Sequence, residues 1–295
     1  MLQPERRRAS SAMNYRHDFH AGNFADVLKH VALARTLLYL RRKDKPFRVI
    51  DTHAGAGLYD LSGPEAARSG EARDGVLRLL QGADLGAAGE LIAPYLDAVR
   101  AAGAPRFYPG SPAIAQSLLR PQDRALFCEL LPQALESLRR VLGRDSRVKA
   151  IGIDGYAGLK AFVPPVERRG LVLIDPPFER RDEYERLFDS LGAALRKWPG
   201  GIFMVWQPVK ERDIADAFCR ALAAQAPDWL RIDLQVEAPA PGRPLARTGL
   251  MVVNPPYVLE EEMKIIVPAL ARALARGAGA EFLIESGGGA GAHDT

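Results

Sequence analysis

Five short apolar runs, most of them separated by amphipathic helical stretches, set the strongest limit on how this 295-residue chain can fold. They lie within "FRVIDTHAGAG", "ALFCEL", "VKAIGIDGY", "GLVLIDPP" and "GIFMVWQP". Runs this short and this apolar read as strands buried on both faces, and strands that alternate with helices predict a parallel, doubly wound α/β sheet. A last pair, "LRIDLQVEAP" and "TGLMVVNPP", is joined by a Pro/Gly/Arg loop and reads as a hairpin that adds an antiparallel edge. Ahead of the first strand, "NFADVLKHVALARTLLYL" sets Phe24, Val27, Leu28 and Val31 on one helix face, with Asn23 placed to cap its start. That spacing puts Lys29 opposite the apolar face and His30 on its flank, so both are expected at solvent.

Two stretches break the alternation. About seventy residues separate the first glycine turn from "ALFCEL", too many for one crossover, which predicts an inserted, mostly helical lobe over about 58–108. "YPGSP" marks the return to the sheet. At the ends, residues 1–12 are expected to be a basic, disordered leader before Met13, and 285–295 a glycine-rich disordered tail, with one domain over 13–284. The leader fits an upstream start-codon assignment or a real basic extension equally well.

The composition, 47% hydrophobic and 26% charged, is that of an ordinary soluble globular protein. No run approaches the roughly 18–20 apolar residues that a membrane-spanning helix needs, and "MLQPERRRAS" lacks the apolar core of a secretory signal. The expectation is a cytoplasmic protein, monomeric and without a membrane partner. Cys128 and Cys219 sit in apolar segments and read as buried small hydrophobes. Residues 1–50 hold eleven Lys/Arg against four Asp/Glu, a bias compatible with a phosphate-bearing partner and equally with a solvated face.

In an open α/β sheet a ligand sits beyond the carboxyl ends of the strands, at the point where strand order reverses. The polar strand ends are therefore the residues to weigh. "DTHAGAG" closes the first strand, and its glycines let a ligand approach the backbone. Glu129, ending the second, is suited to the two hydroxyls of a cofactor ribose, or is simply a capping or exposed carboxylate. Asp154 and Gly155, after the third, suit an adenine amino group, or form an ordinary Asp-Gly turn. The three together favour a nucleoside-cofactor pocket.

Asp175, Pro176, Pro177 and Phe178 end the fourth strand. The exocyclic amine of a base is a poor nucleophile because its lone pair is delocalised into the ring. A carboxylate and a proline-fixed carbonyl that accept its two N–H bonds steer the nitrogen toward a tetrahedral, attacking form, while Phe178 stacks on the base. This is the logic of adenine-N6 methylation by S-adenosylmethionine. "NPPY" at Asn254 matches the familiar aminomethylation letters better, but it ends the hairpin, farther toward the sheet edge, and reads as a strand terminator before the last helix. Asp175 is the expected catalytic residue.

Taken in order, "YRHDFHAGNFADVLKH", "DTHAGAG", "YPGSP", "ELLP", "DGY" and "RRGLVLIDPPFE" resemble the RlmJ family of adenine-N6 methyltransferases that modify large-subunit (23S) ribosomal RNA. The resemblance runs from Met13 to about Pro268. It implies a Rossmann-like class I S-adenosylmethionine-dependent methyltransferase sheet with a small helical insertion, S-adenosylmethionine as methyl donor, no metal, and one adenosine of free 23S rRNA as target. It further implies that Lys29, His30, His53, Ser111, Glu129, Asp154, Gly155 and Asp175 line the cofactor site, and that Tyr15 engages the RNA. The chain departs from the family at Phe178, where Tyr is more usual, and in the residues before Met13.

Tyr15, His17, Phe19 and His20 form an aromatic-rich cluster beside positive charge, suited to stacking on unpaired bases. His17 and His20 lack the Cys or carboxylate partners of a closed metal site. A DNA adenine methyltransferase would use the same pocket but normally carries a separate target-recognition domain. A protein glutamine methyltransferase would place Asn-Pro-Pro-Tyr on the fourth strand. A non-catalytic RNA-binding module would need neither the acidic strand ends nor a rigid Asp-Pro-Pro loop.

Overall fold

The computed structural model describes residues 19–240, 242 and 244–288. The chain enters through helix α1 (Phe24–Arg41), capped by Asn23 Oδ1, which accepts from the amides of Ala25 and Asp26. It then runs straight into the central strand β1 (Arg48–Asp51). A small lobe follows: β2 (Leu58–Asp60), helices α2 (Pro64–Ser69), α3 (Glu71–Asp74), α4 (Val76–Leu80) and α5 (Ala88–Ala101), and β3 (Phe107–Pro109). Antiparallel pairing of β2 with β3 closes the lobe at its base. The alternation resumes with α6 (Ser111–Leu118), β4 (Arg124–Glu129), α7 (Pro132–Leu142), β5 (Val148–Gly152), α8 (Gly155–Phe162), β6 (Gly170–Ile174), α9 (Glu183–Lys197), β7 (Ile202–Pro208) and α10 (Arg212–Ala223). The hairpin β8 (Asp228–Gln235) and β9 (Arg247–Val253), then α11 (Leu259–Ala273) and β10 (Glu281–Gly288), complete the described chain.

The eight-stranded sheet has the order β10-β8-β9-β7-β6-β1-β4-β5. β5, β4, β1, β6 and β7 are parallel neighbours, while β9, β8 and β10 add on antiparallel. From β1 the chain first builds outward through β4 and β5, then returns to place β6 on β1's other side, so order reverses between β1 and β6. All five residues of β6 are buried, as a strand covered on both faces requires. One apolar layer joins α1, α5, α6 and α11 to one face, and a second joins α8, α9 and α10 to the other.

α1 is not the one-sided helix its spacing predicts. It packs on β6 and β9 and is also wrapped by α3, α5, α6 and α11, so Lys29 and His30 are only 4% and 1% exposed. The apolar face was read correctly, but the lobe and the last helix cover the opposite one. The glycine-rich end also departs from expectation, because residues 285–288 belong to edge strand β10. A Cβ on Gly287 would fall 2.7 Å from the Trp229 ring, and one on Gly288 would fall 2.1 Å from the Pro227 carbonyl. Glycine is thus what lets the strand dock. The expected leader 1–12 and the remainder of the tail lie outside the described residues. Both cysteines are buried and unbridged. Among the described residues, no helix is long and apolar enough to cross a membrane.

Candidate active site

The carboxyl ends of β1, β4, β5 and β6 open into one cleft of about 1690 Å³. Its floor is the glycine turn after β1, where Gly55 and Gly57 take φ of +66° and +81°. A Cβ on Gly55 would stand 2.3 Å from the Tyr59 hydroxyl, so with its positive φ this position favours glycine. Glu129 ties the turn to β4: Oε2 accepts from the Gly55 amide at 2.8 Å and Oε1 from the Leu131 amide at 2.7 Å. The carboxylate is therefore held on the cleft wall with lone pairs to spare, where a ribose diol can donate to it.

Asp154 both caps a helix and lines the cleft. Its Oδ1 caps α8 by accepting from the Tyr156 and Ala157 amides, while Oδ2 faces Arg186 at 3.9 Å. Gly155 is pressed against the β1 end, since a Cβ there would lie 2.4 Å from the Thr52 carbonyl and 2.5 Å from His53 Nε2. The Thr52 hydroxyl donates to the Leu173 carbonyl at 3.1 Å, so at 2.8 Å it accepts from His53 Nδ1, and Nε2 is left as an acceptor with no hydrogen-bond partner among the described residues. Burial pushes His53 down to about 4, which keeps it neutral.

Ser111 donates to Asp51 Oδ2 at 2.7 Å, and the His53 amide reaches Oδ1 at 3.2 Å. Burial lifts Asp51 to about 6 against these two hydrogen bonds. His30 lies deeper, with Nδ1 2.7 Å from the Tyr108 hydroxyl, which in turn is 3.1 Å from that of Tyr95. Burial raises both phenols, so neither ionises near neutrality.

At the β6 end, Asp175 Oδ2 accepts from Lys29 Nζ at 2.5 Å. The same ammonium lies 2.9 Å from Asp26 Oδ1 and 5.9 Å from the centre of the Trp206 ring. Burial alone would push Lys29 down, but the charges of Asp175 and Asp26 outweigh it and hold the group well above the usual lysine range. Phe178, at φ +48°, rests against Tyr184 and Trp206 with ring centres 4.9 and 5.8 Å away. Pro176 and Pro177 line the cleft between them.

Asn254 is elsewhere. β9 runs antiparallel to β7, and Phe203 pairs with Val253, so Asn254 follows the strand out at the amino end of β7. There its Nδ2 donates to the Pro199 and Gly201 carbonyls, both at 2.7 Å. Tyr15 and His17 lie outside the described residues. His20 reaches the cleft and makes a 3.1 Å contact with Glu71 of the lobe. Among the described residues no group of three or more His, Cys, Asp or Glu side chains is placed to hold a metal.

Comparison with known proteins decides the family. A model described as "Ribosomal RNA large subunit methyltransferase D, RlmJ" matches residues 44–283. The chain belongs to the RlmJ family. Two curated members named "Ribosomal RNA large subunit methyltransferase J" are similar over nearly their whole length. The Escherichia coli protein is 40% identical, covering 88% of this chain and 92% of the relative. The Haemophilus influenzae protein is 39% identical, covering 89% and 94%. A solved Legionella pneumophila structure, 34% identical, superposes with a TM-score of 0.84 over 92% of this chain and 99% of that one. The sheet is accordingly the Rossmann-like class I S-adenosylmethionine-dependent methyltransferase sheet, with a small, mostly helical lobe inserted after β1.

Within that framework the cleft gathers Lys29, His53, Ser111, Glu129, Asp154, Gly155, Asp175 and Phe178, with His30 on its inner wall. Sequence reasoning passed over Asp51, Asp26 and Trp206. Asp51 obeys the same strand-end rule as Glu129 but stood beside a glycine turn that drew the attention. Asp26 precedes Lys29 by one helical turn, and nothing in their spacing says that both are buried.

Proposed function

We propose that this protein methylates the exocyclic N6 of one adenosine in 23S ribosomal RNA, using S-adenosylmethionine and acting on free rRNA before ribosome assembly is complete. The observation that carries this reading is Asp175, fixed by Lys29 and followed by a proline-stiffened aromatic turn, in the cleft that Glu129, Asp154 and the glycine turn also line.

The cleft's donor set fits the cofactor. Glu129, already oriented by two backbone amides, faces where a ribose diol would lie, and Asp154 Oδ2 is available to an adenine amino group. Gly155 and the Nε2 of His53 give close backbone approach and a neutral acceptor beside it. S-adenosylmethionine, when bound, supplies an electrophilic sulfonium methyl group.

The rest is done by the protein. Lys29 immobilises Asp175 Oδ2, which leaves Oδ1 to accept one N6–H, and a carbonyl of the proline-fixed turn accepts the other. The amine is pulled out of conjugation, and its lone pair is aimed along the line of displacement. Transfer would break the donor's S–CH3 bond, leaving a neutral thioether, as the N–C bond forms; Asp175 would stabilise the positive charge that develops on N6 and accept the proton then released. Phe178 holds the face of the base, which must be unpaired or flipped to enter. Tyr15 is assigned to the RNA by resemblance. A 23S substrate implies a cytoplasmic site of action.

The test incubates the protein with labelled S-adenosylmethionine and unmodified, protein-free 23S rRNA, then digests the RNA to nucleosides. Labelled N6-methyladenosine that vanishes with Asp175→Ala and persists with Asn254→Ala is the expected result. Label in DNA alone would move the substrate to a duplex target, and RNA binding without cofactor binding would leave a non-catalytic module.

A further inference from the structure

Most cations that line the cleft are already committed to protein partners. Lys29 is bound by Asp175, and Arg180 makes two 2.8 Å hydrogen bonds to Asp182. Arg186 lies over the Tyr156 ring at 4.7 Å, with Asp154 and Glu183 3.9 and 3.8 Å away. Lys210 differs: it is exposed on the cleft wall, and among the described residues its ammonium has no hydrogen bond or ion pair. Its backbone is nonetheless held. Lys210 follows buried Val209, whose amide donates to the Arg247 carbonyl at 3.1 Å. Just before, the Pro208 carbonyl accepts from the Tyr184 hydroxyl at 3.1 Å, and the Tyr184 ring packs on Phe178. The contacts that brace the aromatic wall thus also fix the root of Lys210. The strand ends below are acidic, with Glu129, Asp154 and Asp175 facing the cleft. Such a floor suits a cationic donor but repels an RNA backbone, and a hydrated ammonium on a flexible stem at the rim offsets that repulsion.

We propose that Lys210 is a phosphate contact for the RNA: its ammonium holds a phosphodiester beside the flipped adenosine and so registers the backbone while the base stacks on Phe178. Lys210 takes no part in the methyl transfer itself. The inference rests on the function proposed above, and its test separates the two.

Binding of protein-free 23S rRNA would be titrated across a salt series with wild type, Lys210→Ala, Lys210→Arg and Lys264→Ala, the last at an exposed lysine of α11 outside the cleft lining. One lost phosphate contact on a single strand makes the slope of log affinity against log salt shallower by about 0.7, or about fivefold weaker binding at roughly 0.1 M salt. That is the result expected for Lys210→Ala, with KM for rRNA raised about fivefold and kcat moved by less than about twofold. Lys210→Arg should restore the slope, and Lys264→Ala should keep it. Calorimetry should find S-adenosylmethionine affinity within about twofold in every variant. An unchanged slope in Lys210→Ala, an equal change in Lys264→Ala, or no restoration by Arg would overturn the proposal. A fall in S-adenosylmethionine affinity would overturn it too, by assigning the ammonium to the donor's carboxylate. Wild type that binds the RNA but transfers no methyl group to it would instead sink the methyltransferase reading, and the slopes would still decide the contact.

Discussion

The molecule carries two near-copies of one short motif, and the fold uses them for opposite purposes. Asp175-Pro-Pro-Phe178 ends the parallel strand β6 beside the point where strand order reverses, facing the cleft and bound to Lys29. Asn254-Pro-Pro-Tyr257 ends the antiparallel strand β9 at the other end of the sheet, with its amide spent on the Pro199 and Gly201 carbonyls. Both turns hold a non-glycine residue at positive φ, Phe178 at +48° and Asn254 at +52°. Strand direction, more than distance from the middle of the sheet, separates them. An antiparallel strand delivers its carboxyl end to the edge away from the cleft, so here the motif's letters terminate a strand.

The sharpest way to break this comparison is to exchange the first residues. Asp175→Asn makes the cleft motif resemble its twin but removes the charged acceptor and leaves Lys29 with Asp26 alone. We expect kcat to fall about a hundredfold to a thousandfold. Asn254→Asp should leave kcat within twofold of wild type, as an rRNA methylation assay would read. An equal loss from both changes would end the distinction between the motifs.

Stability should show the converse. Asn254→Ala removes two hydrogen bonds, leaves two carbonyls without that donor, and asks an alanine to hold φ +52°. The expected cost is about 2–3 kcal/mol in denaturant unfolding with kcat unchanged. Asn254→Gly relieves the backbone strain but not the lost bonds, and should recover roughly 1 kcal/mol of it.

Much of this was legible in the sequence, for identifiable reasons. Inner parallel strands are buried on both faces and print themselves as apolar runs, so β1, β4, β6 and β7 stand out; edge strand β5 has no fully buried residue and was legible from its alternation with helices. Glu129, Asp154 and Asp175, polar residues at strand ends, could be found that way. Lys29 and His30 could be named by resemblance but not placed, because helix periodicity reports the face a helix turns to its sheet and is blind to neighbours folding over its back. The lobe and α11 do this, and they convert an expected surface lysine into the buried partner of Asp175. Asp26 was hidden for the same reason. The Gly287–Gly288 segment misled in the other direction: glycine was read as disorder where it permits close approach to Trp229.

A smaller effect is expected in the aromatic wall of the cleft motif. Phe178 is packed against Tyr184 and Trp206. Phe178→Ala should raise KM for rRNA by about tenfold through lost stacking, worth roughly 1–2 kcal/mol. Phe178→Tyr should stay within about twofold. Tyr257→Ala, at a ring 66% exposed at the opposite end of the sheet, should leave KM where it was.

The least effect, and the one most specific to the cleft side, concerns the lobe above it. His20 and Glu71 join the segment before α1 to α3, and Asn23 adds a 2.9 Å hydrogen bond to the same carboxylate. The hydrogen bond to Glu71 raises His20 above 6.5 despite partial burial. Burial works against Glu71, but the hydrogen bonds from His20 and Asn23 outweigh it and hold Glu71 below 4.5. The signs then fix the window. A raised histidine contributes fully below its unfolded value and loses that contribution as pH rises through the folded one; a depressed carboxylate contributes above its unfolded value and loses it as pH falls through its own. The clip is therefore strongest between pH 4.5 and 6.5, and weakens as His20 deprotonates above that range. Asp26, Lys210 and Arg276 also act on the pair and should shift the midpoint without reversing it. Because the His20 side chain is 41% exposed, solvent screens the pair and the gain is small. Hydrogen exchange followed from pH 6 to pH 8, corrected for the intrinsic rate, should show α3 and the Val76 amide, bonded to the Gly22 carbonyl at 2.8 Å, losing protection. The turn at Asn254 should not change. His20→Gln should abolish the pH dependence at the lobe, and a lobe that loosens identically in that variant would show that the clip does not hold it.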